Sequence, residues 1–178
     1  LTKKDIQSIS IAKKFGVKIF ALSFANSARD VLFFRSLIDK NDELISKVET
    51  KRGFFNRKEI TKASNAILID RGDLSRYIDI PKIPLAQRII INDAKKQKKK
   101  VYIATNLLET MINLNEPTRA ESNDIYSSLE SGCAGLVLAA ETAIGNNPVK
   151  CVLFLKKCLQ VFYNQTKFKK KYSLFFKN

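Results

Sequence analysis

Short apolar runs that alternate with amphipathic segments restrict the fold of this sequence more than any other feature. The apolar runs cover residues 17–22, 43–48, 66–70, 100–104 and 135–139, and each has the length of a buried strand. Helical patterns surround them at residues 3–15, 27–40, 53–64, 84–98, 119–131 and 148–165. Strands joined by crossover helices pair in parallel. The sequence therefore predicts an α/β fold, either an open sheet or part of a barrel.

Polar residues stand where several of these apolar runs end. In parallel sheets and barrels the carboxyl ends of the strands meet at one edge, and α/β enzymes gather their catalytic groups there. The polar residues are Lys47 and Glu49, Gly72 and Asp73, Thr105, and Glu141 with Thr142. We expect them to contribute to a shared site.

The first two strand ends carry charged groups suited to phosphate chemistry. The strand period of two puts Lys47 and Glu49 on one face, although a simple ion pair at a strand end explains this spacing equally well. A second carboxylate, Asp73, follows the flexible Gly72. Two carboxylates on adjacent strand ends can bind one Mg²⁺ ion, and a lysine beside them supplies fixed positive charge for phosphoryl or enolate chemistry.

The polar residues at the later strand ends give a weaker indication of function. The hydroxyl of Thr105 can form a hydrogen bond with a substrate carboxylate, but a single threonine carries little information. Glu141 can join the site, or it can pair with a neighbouring arginine and do no chemistry. Both alternatives stay open for Glu141 at this point.

Composition excludes several kinds of chemistry. The sequence has no histidine, so catalysis by a Ser-His-Asp or Cys-His set and imidazole metal sites are excluded. Its three cysteines lack a CxxC spacing, which fits a reducing compartment and a packing role. Metal binding must therefore use oxygen ligands, which suit Mg²⁺ or Mn²⁺.

The chain carries a formal charge of +15 with a sequence pI near 9.8. Such a charge can indicate nucleic-acid binding, but the lysines are spread along the chain, and compositional bias explains them as well. No apolar run reaches the length of a membrane span. We expect a cytoplasmic protein that binds neither nucleic acid nor membrane and forms a homo-oligomer; an anionic, phosphorylated substrate is compatible with the charge.

Several short strings, in one order, point to a known family. They are ALSF at 21–24, ISKVE at 45–49, RGDL at 71–74, PLAQ at 84–87, PTRAE at 117–121 and ETA at 141–143. With these strings the chain resembles the second half of the catalytic barrel of pyruvate kinase, from residue 1 to about residue 165. No single string would suffice for this match.

The resemblance implies a fold, a reaction and roles for individual residues. It implies that the parallel (β/α) units form strands 4 to 8 of a TIM-type (β/α)8 barrel, incomplete in this chain. The reaction is the glycolytic transfer of a phosphoryl group from phosphoenolpyruvate to ADP, giving pyruvate and ATP. By motif position, Glu49 and Asp73 match the Mg²⁺ (or Mn²⁺) ligands, and Lys47 matches the transition-state lysine. Four residues match positions that bind the substrate: Lys47, Gly72, Asp73 and Thr105. The resemblance also implies a catalytic role for Thr105. It implies that K⁺ would bind through residues absent from this chain.

The chain departs from the family's usual pattern at several positions near these motifs. The differing residues are Thr50 for asparagine, Ser75 for glycine, Asn106 for glutamine, and Ala139 with Ala140 for Ser-Gly. The metal and lysine positions are kept. The differences bear on proton delivery to the enolate and on substrate choice.

We divide the chain into a partial catalytic barrel at residues 1–165 and a basic C-terminal tail at residues 166–178. It begins with Leu1 rather than methionine, and we expect it to be part of a longer protein. Two alternatives remain beside the kinase. One is a Mg²⁺-dependent lyase or aldolase acting on pyruvate-like substrates. The other is a truncated, non-catalytic interaction module whose exposed strand edges bind a partner.

Overall fold

The computed structural model describes the backbone of residues 1–172 and the side chains of residues 1–165. The chain divides into two compact units. The first unit comprises Leu1–Ala104 with Cys133–Gly135, and the second comprises Thr105–Gly132 with the chain from Leu136 onward.

A five-stranded sheet runs through the fold in the order β1-β2-β3-β4-β5. Its strands are β1 (Ile19–Leu22), β2 (Glu43–Val48), β3 (Ala66–Asp70), β4 (Lys100–Ala104) and β5 (Gly135–Val137). The pairs from β1 to β4 are parallel, with Leu22 opposite Ser46, Val48 opposite Ile69, and Asp70 opposite Ala104. This arrangement confirms the predicted α/β fold, which agrees with part of a (β/α)8 barrel.

Helices precede the first strand, connect successive strands and follow the last strand. They are α1 (Lys3–Lys14), α2 (Ala28–Arg35), α3 (Lys51–Phe55), α4 (Arg57–Ala63), α5 (Arg71–Leu74), α6 (Ile83–Lys96), α7 (Arg119–Ser131), α8 (Ala140–Ala143) and α9 (Pro148–Tyr172), with 3₁₀ turns at Ile80–Lys82 and Glu109–Ile112. Within the described residues, no helix is long and apolar enough to cross a membrane.

Three predicted helices are divided in the structure or end more than two residues from the predicted position. The predicted helix at residues 53–64 is two helices, because Asn56 leaves helical geometry, at φ −90° and ψ 9°, between α3 and α4. Helix α2 ends at Arg35, before the predicted residue 40. Helix α9 continues to Tyr172, past the predicted end at 165, and so includes part of the proposed tail. Residues 173–178 of that tail lie outside the described residues, and the domain boundary stays a prediction.

The core of the first unit lies around β2 and β3. Strand β3 is buried on both faces, as expected for a parallel strand covered by helices. Fully buried side chains come from these strands and from α4 and α6: Leu44, Ile60, Ile67, Ile69, Ile90 and Ile91. A half-buried ion pair of 2.8 Å joins Arg57 Nε to Asp93 Oδ2 and so links α4 to α6. The packed helices hold the carboxyl ends of β2 and β3 in place.

The cysteines are free thiols in the described chain. Burial raises the pKa of Cys133, Cys151 and Cys158 above the ordinary thiol value. A higher pKa lowers the thiolate fraction and hence the reactivity at neutral pH. These properties agree with the packing role expected from the sequence.

In the second unit, Glu121 joins the start of α7 to the 3₁₀ turn before it. Its carboxylate accepts hydrogen bonds from Thr118 N (2.7 Å) and Thr118 Oγ1 (2.9 Å) in a capping box. It also accepts from Thr110 N (2.8 Å) and Thr110 Oγ1 (2.6 Å). Burial alone would raise the pKa of Glu121, but these hydrogen bonds outweigh burial, and the pKa lies below its ordinary value of 4.5.

We expect Glu121→Gln to lower the free energy of unfolding at pH 7 by about 1–2 kcal/mol, because charge-assisted hydrogen bonds are replaced by neutral ones. A lowered pKa in the folded state stabilises the protein above the unfolded-state pKa, and this contribution is lost as the pH falls through the folded-state pKa. The difference from the parent protein should therefore shrink below pH 4.5. Urea unfolding of both proteins at neutral and acidic pH measures this difference in the free energy of unfolding. Glu130→Gln, exposed on the same helix, is the control; an equal loss in both variants would contradict the assignment.

Candidate active site

Lys47 and Glu49 stand together at the carboxyl end of β2. Alternate residues of this strand, Leu44, Ser46 and Val48, are fully buried, so Lys47 points to the other face. The Lys47 side chain keeps 21% of its surface exposed, whereas that of Glu49 is fully buried. Lys47 Nζ lies 2.6 Å from Glu49 Oε1. The predicted pairing of these two residues on one face is therefore present in the structure.

The backbone of Phe24 fixes the Glu49 carboxylate from the other side. Phe24 N donates to Glu49 Oε2 at 2.5 Å. Phe24 has a φ of 53°, a left-handed conformation that is uncommon for a side chain of this size. Oε1 is buried and accepts no well-directed hydrogen bond, although it touches the Lys47 ammonium. One oxygen of Glu49 is thus anchored, and the other faces a cation.

Two further carboxylates lie at the end of β3. Asp70 is the last residue of β3 and caps α5, with Asp70 Oδ1 3.4 Å from Asp73 N. Its Oδ2 lies 3.2 Å from Lys47 Nζ. Asp73, in the first turn of α5, also pairs with Arg76 Nη1 at 3.5 Å. The ammonium of Lys47 therefore bridges Glu49 and Asp70 beside the turn that carries Asp73.

Glu49, Asp70 and Asp73 form a cluster with the composition of a hard-cation site. One oxygen from each carboxylate can be chosen so that all three atoms lie within 4.8 Å of one another. Carboxylate oxygens at this spacing suit Mg²⁺ or Mn²⁺. The buried Oε1 of Glu49 lies 2.6 Å from the Lys47 ammonium, so this oxygen already contacts a cationic group. The cluster thus contains both predicted metal ligands and one acid that was not predicted.

The charge state of Lys47 follows from its surroundings. Burial by itself lowers the pKa of Lys47, because it disfavours the charged form. The contacts with Glu49 and Asp70 outweigh burial, and the pKa of Lys47 lies above the ordinary lysine value. Lys47 is therefore a permanent cation at physiological pH.

A model of the pyruvate kinase family, described as "Pyruvate kinase, barrel domain", matches residues 1–152 of this chain. The chain belongs to the pyruvate kinase family. The match includes Lys47, Glu49, Asp70 and Asp73, so the cluster lies inside the family's barrel domain.

Individual relatives agree with this assignment. A pyruvate kinase of Thermotoga maritima is 39% identical over 160 residues, which are 88% of this chain and 34% of that protein. A pyruvate kinase of Thermoplasma acidophilum is 36% identical over 175 residues, 97% of this chain and 32% of the relative. A pyruvate kinase of Methanocaldococcus jannaschii is 36% identical over 164 residues, 90% and 37% of the two chains. The chain thus spans about a third of the length of the curated relatives it matches.

Of the other predicted site residues, Gly72 lies in α5 of the first unit, whereas Thr105 and Glu141 belong to the second unit. Thr105 directly follows β4, and both Thr105 and Asn106 have left-handed backbones, at φ 68° and 54°. Glu141 is buried, and its carboxylate accepts from Leu108 N at 3.3 Å and Ala139 N at 2.9 Å. Among the described residues, no arginine forms an ion pair with Glu141, so the arginine pairing considered for it is not found. Its contacts are those of a residue that holds two loops together.

The departures from the family's usual residues have local structural roles. Ser75 Oγ donates to Gly72 O at 2.7 Å and so braces the turn of α5. Thr50 caps α3 by accepting from Gly53 N at 2.9 Å, and it also donates to Asn26 Oδ1. Asn106 Nδ2 donates to Glu109 Oε2 at 2.7 Å. None of these hydrogen bonds involves Lys47, Glu49 or Asp73.

Asp70 is the member of the cluster that the sequence analysis missed. The apolar pattern of residues 66–70 predicts a buried strand, and polar site residues were predicted only after it, at Gly72 and Asp73. An aspartate as the last residue of an otherwise apolar strand was the available signal. Val48 pairs with Ile69, so the following residues, Glu49 and Asp70, lie at the same edge of the sheet.

Proposed function

We propose that the protein carrying this chain is a Mg²⁺-dependent pyruvate kinase, which transfers the phosphoryl group of phosphoenolpyruvate to ADP. The observation that carries the proposal is the Lys47 ammonium set among Glu49, Asp70 and Asp73 at the carboxyl edge of the sheet. Membership of the pyruvate kinase family supports the same reaction. A permanent cation beside carboxylates that can bind a metal ion is suited to a substrate with a phosphate and a carboxylate.

Glu49 and Asp73 would hold the Mg²⁺ ion. The geometry supports this assignment, since their oxygens belong to the 4.8 Å cluster and Phe24 N already fixes one oxygen of Glu49. When bound, such an ion neutralises negative charge on the phosphoryl oxygens. Bound by Glu49 and Asp73, the ion would supply its positive charge beside the Lys47 ammonium.

Lys47 would stabilise the charge that develops during transfer. The bond between phosphorus and the enolate oxygen of phosphoenolpyruvate breaks, and a bond forms from a terminal phosphate oxygen of ADP to that phosphorus. The products are ATP and the enolate of pyruvate, which then takes up a proton. Lys47 is suited to both the transferring group and the enolate, because it stays protonated while keeping part of its surface exposed.

The residues proposed for the substrate carboxylate stay predictions from the resemblance. They are the backbone N–H groups of Gly72 and Asp73 and the hydroxyl of Thr105. Asp73 N already donates a long hydrogen bond of 3.4 Å to Asp70, which a substrate carboxylate would share or replace. Binding of K⁺ through residues outside this chain, assembly into a homo-oligomer and a cytoplasmic location are likewise proposals.

The test is the stoichiometry of the reaction catalysed by the purified protein at its native length. With phosphoenolpyruvate, ADP and Mg²⁺, we expect pyruvate and ATP to appear in equal amounts, followed by ³¹P NMR and an enzymatic pyruvate assay. Removal of divalent ions with EDTA should stop the reaction, and Mn²⁺ should restore it. Cleavage or condensation of pyruvate compounds without ADP would favour the lyase alternative and contradict the proposal.

A further inference from the structure

Asp70 is the charged residue of the cluster to which the proposed reaction gives no role. Its side chain is 11% exposed, and its two oxygens face different groups. Oδ2 lies 3.2 Å from Lys47 Nζ, and Oδ1 lies 3.4 Å from Asp73 N. One side chain thus contacts both the proposed transition-state lysine and the turn that carries a proposed metal ligand.

Lys47 needs a second carboxylate if Glu49 is to bind a metal ion. The shorter of the two ion pairs of Lys47 is the one with Glu49 Oε1, at 2.6 Å. A carboxylate that ligates a divalent cation attracts a neighbouring ammonium far less, because its charge is compensated. Among the side chains that the structure describes, Asp70 is the second carboxylate that forms an ion pair with Lys47. It can retain the ammonium at the edge of the sheet when Glu49 is engaged.

We propose that Asp70 is a positioning residue, which holds Lys47 at the site and ties its position to the α5 turn. The inference rests on the proposed function, because it assumes that Lys47 acts on the transferring phosphoryl group. Asp70 lies on the end of a fully packed strand, so its carboxylate is a fixed anchor. Lys47 is a flexible side chain, and a fixed counter-ion reduces the number of positions that its ammonium samples.

The proposal predicts that Asp70→Asn lowers kcat while the KM for phosphoenolpyruvate changes little. The variant keeps an oxygen that can cap α5 but loses the negative charge that holds Lys47. We expect kcat to fall about 10–100-fold, the usual effect of removing a group that orients a functional residue. The KM for phosphoenolpyruvate should change less than about threefold. The dissociation constant for Mn²⁺, measured by electron paramagnetic resonance without substrate, should rise by no more than the roughly 10–100-fold typical of residues that only support a ligand.

Two further variants make the test specific. Asp70→Glu restores the carboxylate and should recover part of the lost kcat, which a merely structural role would not explain. Asp79→Asn removes an exposed aspartate of the same unit, which pairs only with Lys82 among the described residues, and should match the parent protein. Thermal unfolding of each variant, compared with the parent, reports whether the fold is kept.

The alternative outcomes overturn the inference in different ways. An unchanged kcat in Asp70→Asn would remove the positioning role. A loss of Mn²⁺ affinity of more than about 100-fold would instead make Asp70 a metal ligand. If the parent protein binds Mn²⁺ but transfers no phosphoryl group, the proposed function fails and the role of Asp70 fails with it. That result is seen in the parent protein before any variant is compared.

Discussion

Replacing Lys47 by methionine is expected to abolish phosphoryl transfer. The ammonium lies in contact with Glu49 and Asp70 and carries a permanent charge. Methionine has similar length but no charge, so the transferring group and the enolate would lose a fixed cation. Cations that act in this way contribute about 10³-fold or more to the rate of phosphoryl transfer. The measurement is kcat for ATP formation from phosphoenolpyruvate and ADP, at saturating substrate.

Two companion variants separate a chemical from a structural effect. Lys47→Met leaves the buried Glu49 carboxylate without its ion pair, which can itself destabilise the protein. Lys47→Arg keeps the charge and preserves the fold, but its planar group cannot reproduce the geometry of an ammonium, and kcat should still fall. Lys82→Met, at an exposed lysine that pairs with Asp79, should leave kcat unchanged. Full activity in a folded Lys47→Met protein would refute the proposed role of Lys47.

The sequence predicted the parts of the site that depend on strand geometry. The period of two placed Lys47 and Glu49 on one face, and parallel pairing placed the end of β3 beside the end of β2. Both relations hold for any parallel sheet and need no knowledge of packing. The fold class was predictable for the same reason, because each apolar run became a strand between helices.

The missed features depend on contacts between distant segments. Phe24 adopts a left-handed backbone in the loop after β1, and no local pattern shows that its N–H reaches Glu49. Asp70 was counted with its strand, since a single charged residue in an apolar run does not reveal its partner. For Glu141 the sequence left open a role in the site or a pairing with an arginine, and its two backbone donors became visible only in the fold. Such side-chain partners are decided by tertiary packing rather than by periodicity.

Glu49 is fully buried and is a proposed metal ligand, so its replacement should weaken metal binding even in the absence of substrates. Glu49→Gln should weaken Mn²⁺ binding about 100-fold or more, above the 10–100-fold typical of residues that only support a ligand. The amide keeps an oxygen for Phe24 N, at the place of Oε2. Its amino group then takes the place of Oε1, which lies 2.6 Å from the Lys47 ammonium. A cation and an amide donor repel each other there, and the site loses a negative charge.

Electron paramagnetic resonance of free and bound Mn²⁺ measures this effect in the absence of phosphoenolpyruvate and ADP, so the result does not depend on turnover. Glu59→Gln is the matched control, because Glu59 is an exposed glutamate in the first turn of α4 in the same unit. It should bind Mn²⁺ like the parent protein. Circular dichroism and urea unfolding verify that both variants are folded. If a folded Glu49→Gln protein retains the parent's affinity, Glu49 is not a metal ligand, and the buried ion pair with Lys47 is its role instead.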